Sequence, residues 1–97
     1  MQVKVTFKNV EPREEVKRHA EDKIDKINKF VKAPVTVNFI FTKDKIDHVT
    51  ELNVSEGGAH YTSSVSGSDF FSSIDESVDK VVTQIKKHKD KIKEKRH

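Results

Sequence analysis

The chain has 97 residues, a formal net charge of +3, 33% hydrophobic and 36% charged residues, and no cysteine. That length supports one compact domain with a modest core, and the missing cysteines exclude disulfide staples and thiolate metal sites. No apolar run approaches the ~20 residues of a membrane span and the opening Met1-Gln2-Val3-Lys4 is no signal peptide, so a cytoplasmic protein without a membrane partner is expected.

Hydrophobic content this low raises the question of disorder, but the apolar residues recur at regular periods. Val3, Val5 and Phe7 alternate with polar neighbours, the period-2 pattern of a strand with one buried face. Pro12 suits the first position of a helix, and Glu14 and Glu15 suit its first turn, where carboxylates favour the positive end of the dipole. Val16, Ala20, Ile24, Ile27 and Val31 then follow at spacings of four and three, which predicts a helix from about Pro12 to Phe30. Val35, Val37, Phe39 and Phe41 mark a second strand, and Lys43-Asp44-Lys45 reads as a turn. Thr50, Leu52 and Val54 mark a third strand, and Ala59, Tyr61, Ser63 and Val65 a fourth. Glu56-Gly57-Gly58 forms the hairpin between them, because glycine tolerates positive φ. Ser68 or Asp69 caps a last helix whose apolar face is Phe70, Phe71, Ile74, Val78, Val81, Val82, Ile85 and Ile92.

The order β-α-β-β-β-α defines an α+β domain spanning residues 1–97: a four-stranded sheet with two helices packed on one face. A strand-helix-strand start predicts a parallel crossover, and the remaining strands predict an antiparallel meander. The opposite sheet face, with Lys4, Thr36, Asn38, Glu51, Thr62 and Ser64, is expected to stay wet. The topology resembles the double-stranded RNA-binding domain, which shares the α-β-β-β-α order. That family places lysines at the start of its last helix, where this chain has Asp69-Phe70-Phe71, so duplex binding of that type is disfavoured.

Charge is unevenly spread along this plan. Residues 86–97, the end of the last helix, hold seven Lys/Arg against two acids, while residues 1–85 hold 12 basic and 14 acidic residues. A nearly neutral body with a cationic end points to a polyanion partner. On a wheel of about 100° per residue, Lys80, Gln84, Lys87, Lys91 and Lys95 form a stripe on one flank of the last helix. Asp75, Glu76, Asp79, Asp90 and Glu94 gather on the other flank, interrupted by Lys86 and Lys93. The first helix repeats the sorting more weakly, with His19, Lys23 and Lys26 on one flank and Lys29 farther round. If the two basic flanks face one groove between the helices, they form a positive trough. His88 and Lys89 point in apolar-face directions, so the last two turns are expected to overhang the sheet.

A lysine-rich helix end is commonly a solvated face favoured by the helix dipole. Sorting the acids away from the stripe favours a binding surface instead. Each ammonium can neutralise a phosphate and release counterions, and lysine reads backbone position and shape better than bases. Five histidines show no zinc spacing, and the serines lie near no obvious His/Asp partner, so no enzyme, metal or cofactor is expected.

Particular stretches are similar to a known family. They are Met1-Gln2-Val3, Lys23-Ile24-Asp25-Lys26-Ile27, the 57–66 hairpin arm with His60, and Asp69-Phe70-Phe71-Ser72-Ser73-Ile74-Asp75 leading to Val78-Asp79-Lys80 and Lys86-Lys87-His88-Lys89-Asp90-Lys91. Through them the chain resembles the bacterial ribosome hibernation factors, the hibernation-promoting factor and ribosome-associated inhibitor group, over nearly its whole length. The resemblance implies binding to the small ribosomal subunit in the messenger and transfer RNA channel, and silencing of translation in starvation or stationary phase. Some members of that group pair ribosomes into inactive dimers. Ribosomal RNA contacts carry over to Lys23, Lys26, Lys29, Lys80, Lys86, Lys87, Lys89 and Lys91. No DNA partner is expected, and the free chain is expected to be a monomer. A general structured-RNA-binding or chaperone module is the alternative. Two departures stand out: Phe71-Ser72-Ser73 replaces a Tyr followed by two alanines, and Glu11-Pro12 replaces a Thr or Asp helix cap. The chain given ends at the basic helix, which resembles the short promoting-factor branch, with a piece of the long form as the alternative.

Overall fold

The computed structural model describes residues 1–32 and 34–94, with side chains through Lys91. Ile92 and Lys95, which the periodicity assigns to the apolar face and the basic stripe, lie outside the described side chains. Six elements follow one another: β1 (Gln2–Phe7), α1 (Glu14–Asn28), β2 (Val35–Asp44), β3 (Asp47–Glu56), β4 (Ala59–Gly67) and α2 (Phe70–Glu94). The β-α-β-β-β-α order read from periodicity is the order observed.

The strands lie in the order β1-β2-β3-β4, with β1 parallel to β2 and the other two pairs antiparallel. The register stacks the inward residues in rows across the sheet. Val5, Phe39, Leu52 and Ser63 form one row, and Phe7, Phe41, Thr50 and Val65 the next. Side chains alternate between faces along a strand, so a single in-register set of apolar residues makes one buried face. Val16, Ala20, Ile24 and Ile27 of α1 and Phe70, Ile74, Val78, Val81 and Ile85 of α2 close over it in one continuous core.

Several boundaries depart from the periodic reading. Helix α1 begins at Glu14 rather than Pro12, because Arg13 is extended and acts as N-cap, its carbonyl accepting from Lys17 N–H. It ends at Asn28, with a tighter Phe30 N–H to Ile27 carbonyl bond turning the chain. The turn expected at Lys43-Asp44-Lys45 falls at Lys45-Ile46, since Asp44 still pairs with Asp47 and Lys45 takes the positive φ of 58°. At the Glu56–Ala59 hairpin, Gly57 alone takes positive φ. Val3 remains 41% exposed despite its apolar period, as β1 is an edge strand.

Asp69 settles the cap of α2, its carboxylate accepting from Ser72 N–H at 2.8 Å, a bond that holds the carboxyl below its usual range. Beyond the cap, Ser73 and Ser77 are fully buried where α2 lies over β3 and β4. Their hydroxyls donate to Phe70 and Ile74 carbonyls one turn back, and Thr50 of β3 meets Ser73 Oγ at 2.7 Å. The Ser72-Ser73 departure therefore carries its own partner, a buried threonine. Ser73→Ala is expected to cost about 1–3 kcal/mol by stranding the Thr50 hydroxyl. The double change Thr50→Val with Ser73→Ala should recover most of that loss in denaturant melts.

Candidate nucleic-acid interface

Each helix follows a strand of the same direction, β1 or β4, and returns along the sheet, so the two run parallel and side by side. The contacts between them advance in the same direction along both helices: His19 meets Asp75, Lys26 meets Asp79, and Phe30 meets Lys86. Both helix C-termini, with their negative dipole ends, thus lie at one end of the molecule beside the β3–β4 hairpin.

This arrangement overturns the positive trough expected between the helices. The basic flank of α1 faces the acidic flank of α2. His19 Nε2 lies 2.7 Å from Asp75 Oδ1, Lys23 Nζ lies 3.6 Å from the same oxygen, and Lys26 pairs with Asp79. The physical reason is the strand order: α2 sits over β3 and β4, so the flank it turns toward α1 carries Asp75 and Asp79. Lys86, on that same flank, places its ammonium 4.9 Å from the centre of the Phe30 ring rather than facing solvent alone.

The opposite flank of α2 runs beside the free edge of β4. Gln84 fixes this geometry, accepting from Thr62 N–H at 3.1 Å and donating to the Thr62 carbonyl, so that one side-chain amide caps the unpaired strand edge. Lys80, Lys87 and Lys91 flank Gln84, are exposed, and form no ion pair with any described side chain. They span about 16 Å along the helix. Lys29, at the C-cap of α1, is likewise exposed and outside every described ion pair. The eight lysines singled out from sequence therefore divide evenly. Lys29, Lys80, Lys87 and Lys91 are open to solvent, while Lys23, Lys26, Lys86 and Lys89 each hold an internal partner.

Lys89 reveals a residue that pattern reading passed over. Glu56 closes β3 on the helix side of the sheet, with a side chain only 14% exposed. Burial alone would raise its carboxyl, but the Lys32 N–H at 2.6 Å and the Lys89 ammonium at 2.9 Å outweigh that and hold it below the usual range. His88 meanwhile packs edge-on against Tyr61 at 5.8 Å. The overhang expected over the last two turns therefore starts no earlier than Asp90, since Lys89 still ties the helix to the hairpin, and the side chains beyond Lys91 lie outside the described residues. In sequence, Glu56 reads only as the polar lead of a Gly-Gly turn, and its approach to Lys89 exists only once the hairpin and the helix end are brought together.

His60 bonds Ser55 across the hairpin at 3.0 Å on the wet face, a sheet-surface residue. Phe71, standing where the similar family has Tyr, lies between His19 and Arg13, with its ring 5.2 Å from the histidine ring. Among the described residues no group of three or more His, Cys, Asp or Glu is placed to hold a metal ion, and no helix is long and apolar enough to cross a membrane.

A four-stranded mixed sheet backed by two parallel helices, with an open lysine stripe along the outer one, defines a fold with well-matched solved relatives. The Thermus thermophilus Protein Y N-terminal domain superposes with a TM-score of 0.82 over 91% of this chain and 99% of that one, at 19% identity. A ribosomal subunit interface protein from Coxiella burnetii gives 0.80 over 92% and 98%, also at 19% identity. The chain belongs to the sigma 54 modulation protein / S30EA ribosomal protein family, whose model matches residues 3–93. Among characterised proteins it is similar to the ribosome hibernation promoting factors of Escherichia coli K12, at 29% identity, and of Salmonella typhimurium, at 28%. Each match covers 97% of this chain and 99% of the relative. The Bacillus subtilis ribosome hibernation promotion factor is 32% identical over 98% of this chain, which spans 52% of that longer protein.

Glu56 generates a pH prediction. Its folded-state carboxyl is lowered, so its contribution is present above the unfolded value and is lost as pH falls through the folded one. Acidification through and below the ordinary carboxylate range should lower the amide-exchange protection factors of residues 86–91, each taken relative to the intrinsic rate at that pH. Glu56→Gln should produce the same loosening at neutral pH while exchange near Val78 stays slow.

Proposed function

We propose that this protein is a ribosome hibernation factor that binds the small ribosomal subunit in the messenger and transfer RNA channel and silences translation in starvation or stationary phase. The observation that carries this reading is the Lys80-Lys87-Lys91 stripe, fully displayed on one flank of α2 in a chain of the S30EA family. The names of its relatives, ribosome hibernation promoting factors from three bacteria, support the same assignment.

The chemistry follows from charge and spacing. The helix dipole favours cations only in its last turn, yet Lys80 lies near the middle of α2, so the dipole alone does not account for the stripe. Lysines on a rigid helix beside a flat sheet edge present point charges to a phosphate backbone whose shape, rather than sequence, is matched. In this reading Lys29, Lys80, Lys87 and Lys91 make the principal contacts to ribosomal RNA. Lys86 and Lys89 add charge at the same end, and Lys23 and Lys26 join from α1. The factor works in the cytoplasm, needs no cofactor, and is a monomer when free.

Sedimentation tests the assignment. The protein should travel with small subunits or whole ribosomes, and recovery only at the top of the gradient sinks it. Equally tight binding to free structured RNA would favour the general RNA-binding module instead, and a shift of ribosomes into a heavier dimer peak would add pairing to its action. Reversing Lys80, Lys87 and Lys91 to Glu should abolish association, whereas reversing Lys43 and Lys45 at the far hairpin should leave it intact. Affinity should fall with salt at a log–log slope of about −4 to −7, as five to eight phosphate contacts require.

A further inference from the structure

The groove between α1 and α2 stands in contrast to the open stripe. Lys23 and Lys26 already touch oxygen acceptors of the kind a phosphate offers: Asp75 Oδ1 at 3.6 Å and Asp79 Oδ1 in close contact. All the acids of this contact come from α2 and all the cations from α1, so the groove neutralises itself while the β4-side flank keeps its full charge. The pairs are 39–60% exposed, a setting in which ion pairs are weak and screened by salt. A phosphate backbone that reaches these ammonium groups gains counterion release, which a carboxylate one helix away does not offer.

We propose that the α1 flank is a latent phosphate-binding surface, closed in the free protein by Asp75 and Asp79 and opened when a matched RNA surface displaces both carboxylates. This rests on the ribosomal reading above for the identity of the matched RNA. Binding then has two parts. The stripe Lys80, Lys87 and Lys91 engages any phosphate backbone, and Lys23 and Lys26 exchange aspartate for phosphate only where two phosphates stand at the right places beside α1. An RNA that meets the stripe loosely gains too little at the groove to break the internal pairs.

The test measures binding against salt for two probes, an unrelated RNA hairpin and purified small ribosomal subunits. It compares the wild-type chain, the variant Asp75→Asn/Asp79→Asn, and the variant Asp44→Asn/Asp47→Asn. The last removes the same two charges at the β2–β3 hairpin and so controls for net charge. On the hairpin, Asp75→Asn/Asp79→Asn should bind roughly three- to tenfold tighter than wild type. Its salt slope should be steeper by about 1.4–1.8, the contribution of two more phosphates. Adding Lys23→Gln/Lys26→Gln to that variant should cancel both changes. On small subunits the same aspartate variant should bind tighter with the slope unchanged, because the wild type already makes those contacts there. The charge control should leave both slopes unchanged, and circular dichroism should report the same helix content for every variant.

An unchanged hairpin slope in Asp75→Asn/Asp79→Asn would overturn the proposal, as would an equal steepening in the charge control. If the small-subunit slope steepens as much as the hairpin slope, the carboxylates are never displaced and the second part of binding fails. A wild-type chain that does not bind small subunits refutes the ribosomal reading instead, while the hairpin measurements still decide whether the aspartates close the α1 flank.

Discussion

Val16, Ala20, Ile24 and Ile27 of α1 and Ile74, Val78, Val81 and Ile85 of α2 bury onto the same face of one sheet. That shared burial is what the rest of the molecule depends on. Two helices that must cover one face lie side by side, and helices that each follow an upward strand lie parallel. Once these two conditions hold, every other helical position is assigned a neighbour: the sheet, the other helix, the free strand edge or water. Apolar burial of this kind is the dominant favourable term in folding, so the weaker charge contacts adapt to it rather than direct it.

Charge display is the main consequence. The flank of α2 beside α1 finds cations and becomes neutral; the flank beside β4 finds only a strand edge and stays positive. Gln84 is uncharged within the 80–91 stripe because its position faces the Thr62 backbone, where an amide can both donate and accept. The parallel orientation also gathers two negative dipole ends at the hairpin end of the domain. There Lys29, Lys86, Lys87 and Lys89 complement them, and Glu56 anchors the last described turns. Fold and interface are therefore a single arrangement, in which the core decides which lysines remain available to a polyanion.

The small-residue stretch of α2 shows the same dependence at the scale of single atoms. Serine at 73 and 77 lets the helix sit close over β3 and β4, and each hydroxyl finds a carbonyl in its own helix. Thr50 then occupies an inward sheet position that alternation would give to an apolar residue, and it does so without leaving its hydroxyl unpaired. Ser73, Ser77 and Thr50 thus enter this core where a partner is already fixed by the helix or the strand opposite.

Alternation and helical spacing are local properties, and they made the strands, the helices, the inward face and the open stripe of Lys80, Lys87 and Lys91 legible in the sequence. The end of α1, the position of the β2–β3 turn and the choice of Asp69 as cap depend on single backbone bonds that several neighbouring residues could supply, and were not. Nor was the pairing of Lys23 and Lys26 with Asp75 and Asp79, or of Lys89 with Glu56, because each joins segments more than thirty residues apart. The wheel sorts charges around one helix without saying which flank meets a partner. By itself, then, the sequence determined that a cationic helix rides on an α+β domain and which lysines share a flank. The tertiary structure alone decided that the α1 lysines face acids and the α2 stripe faces none, since strand order and parallel packing determine which flanks can touch.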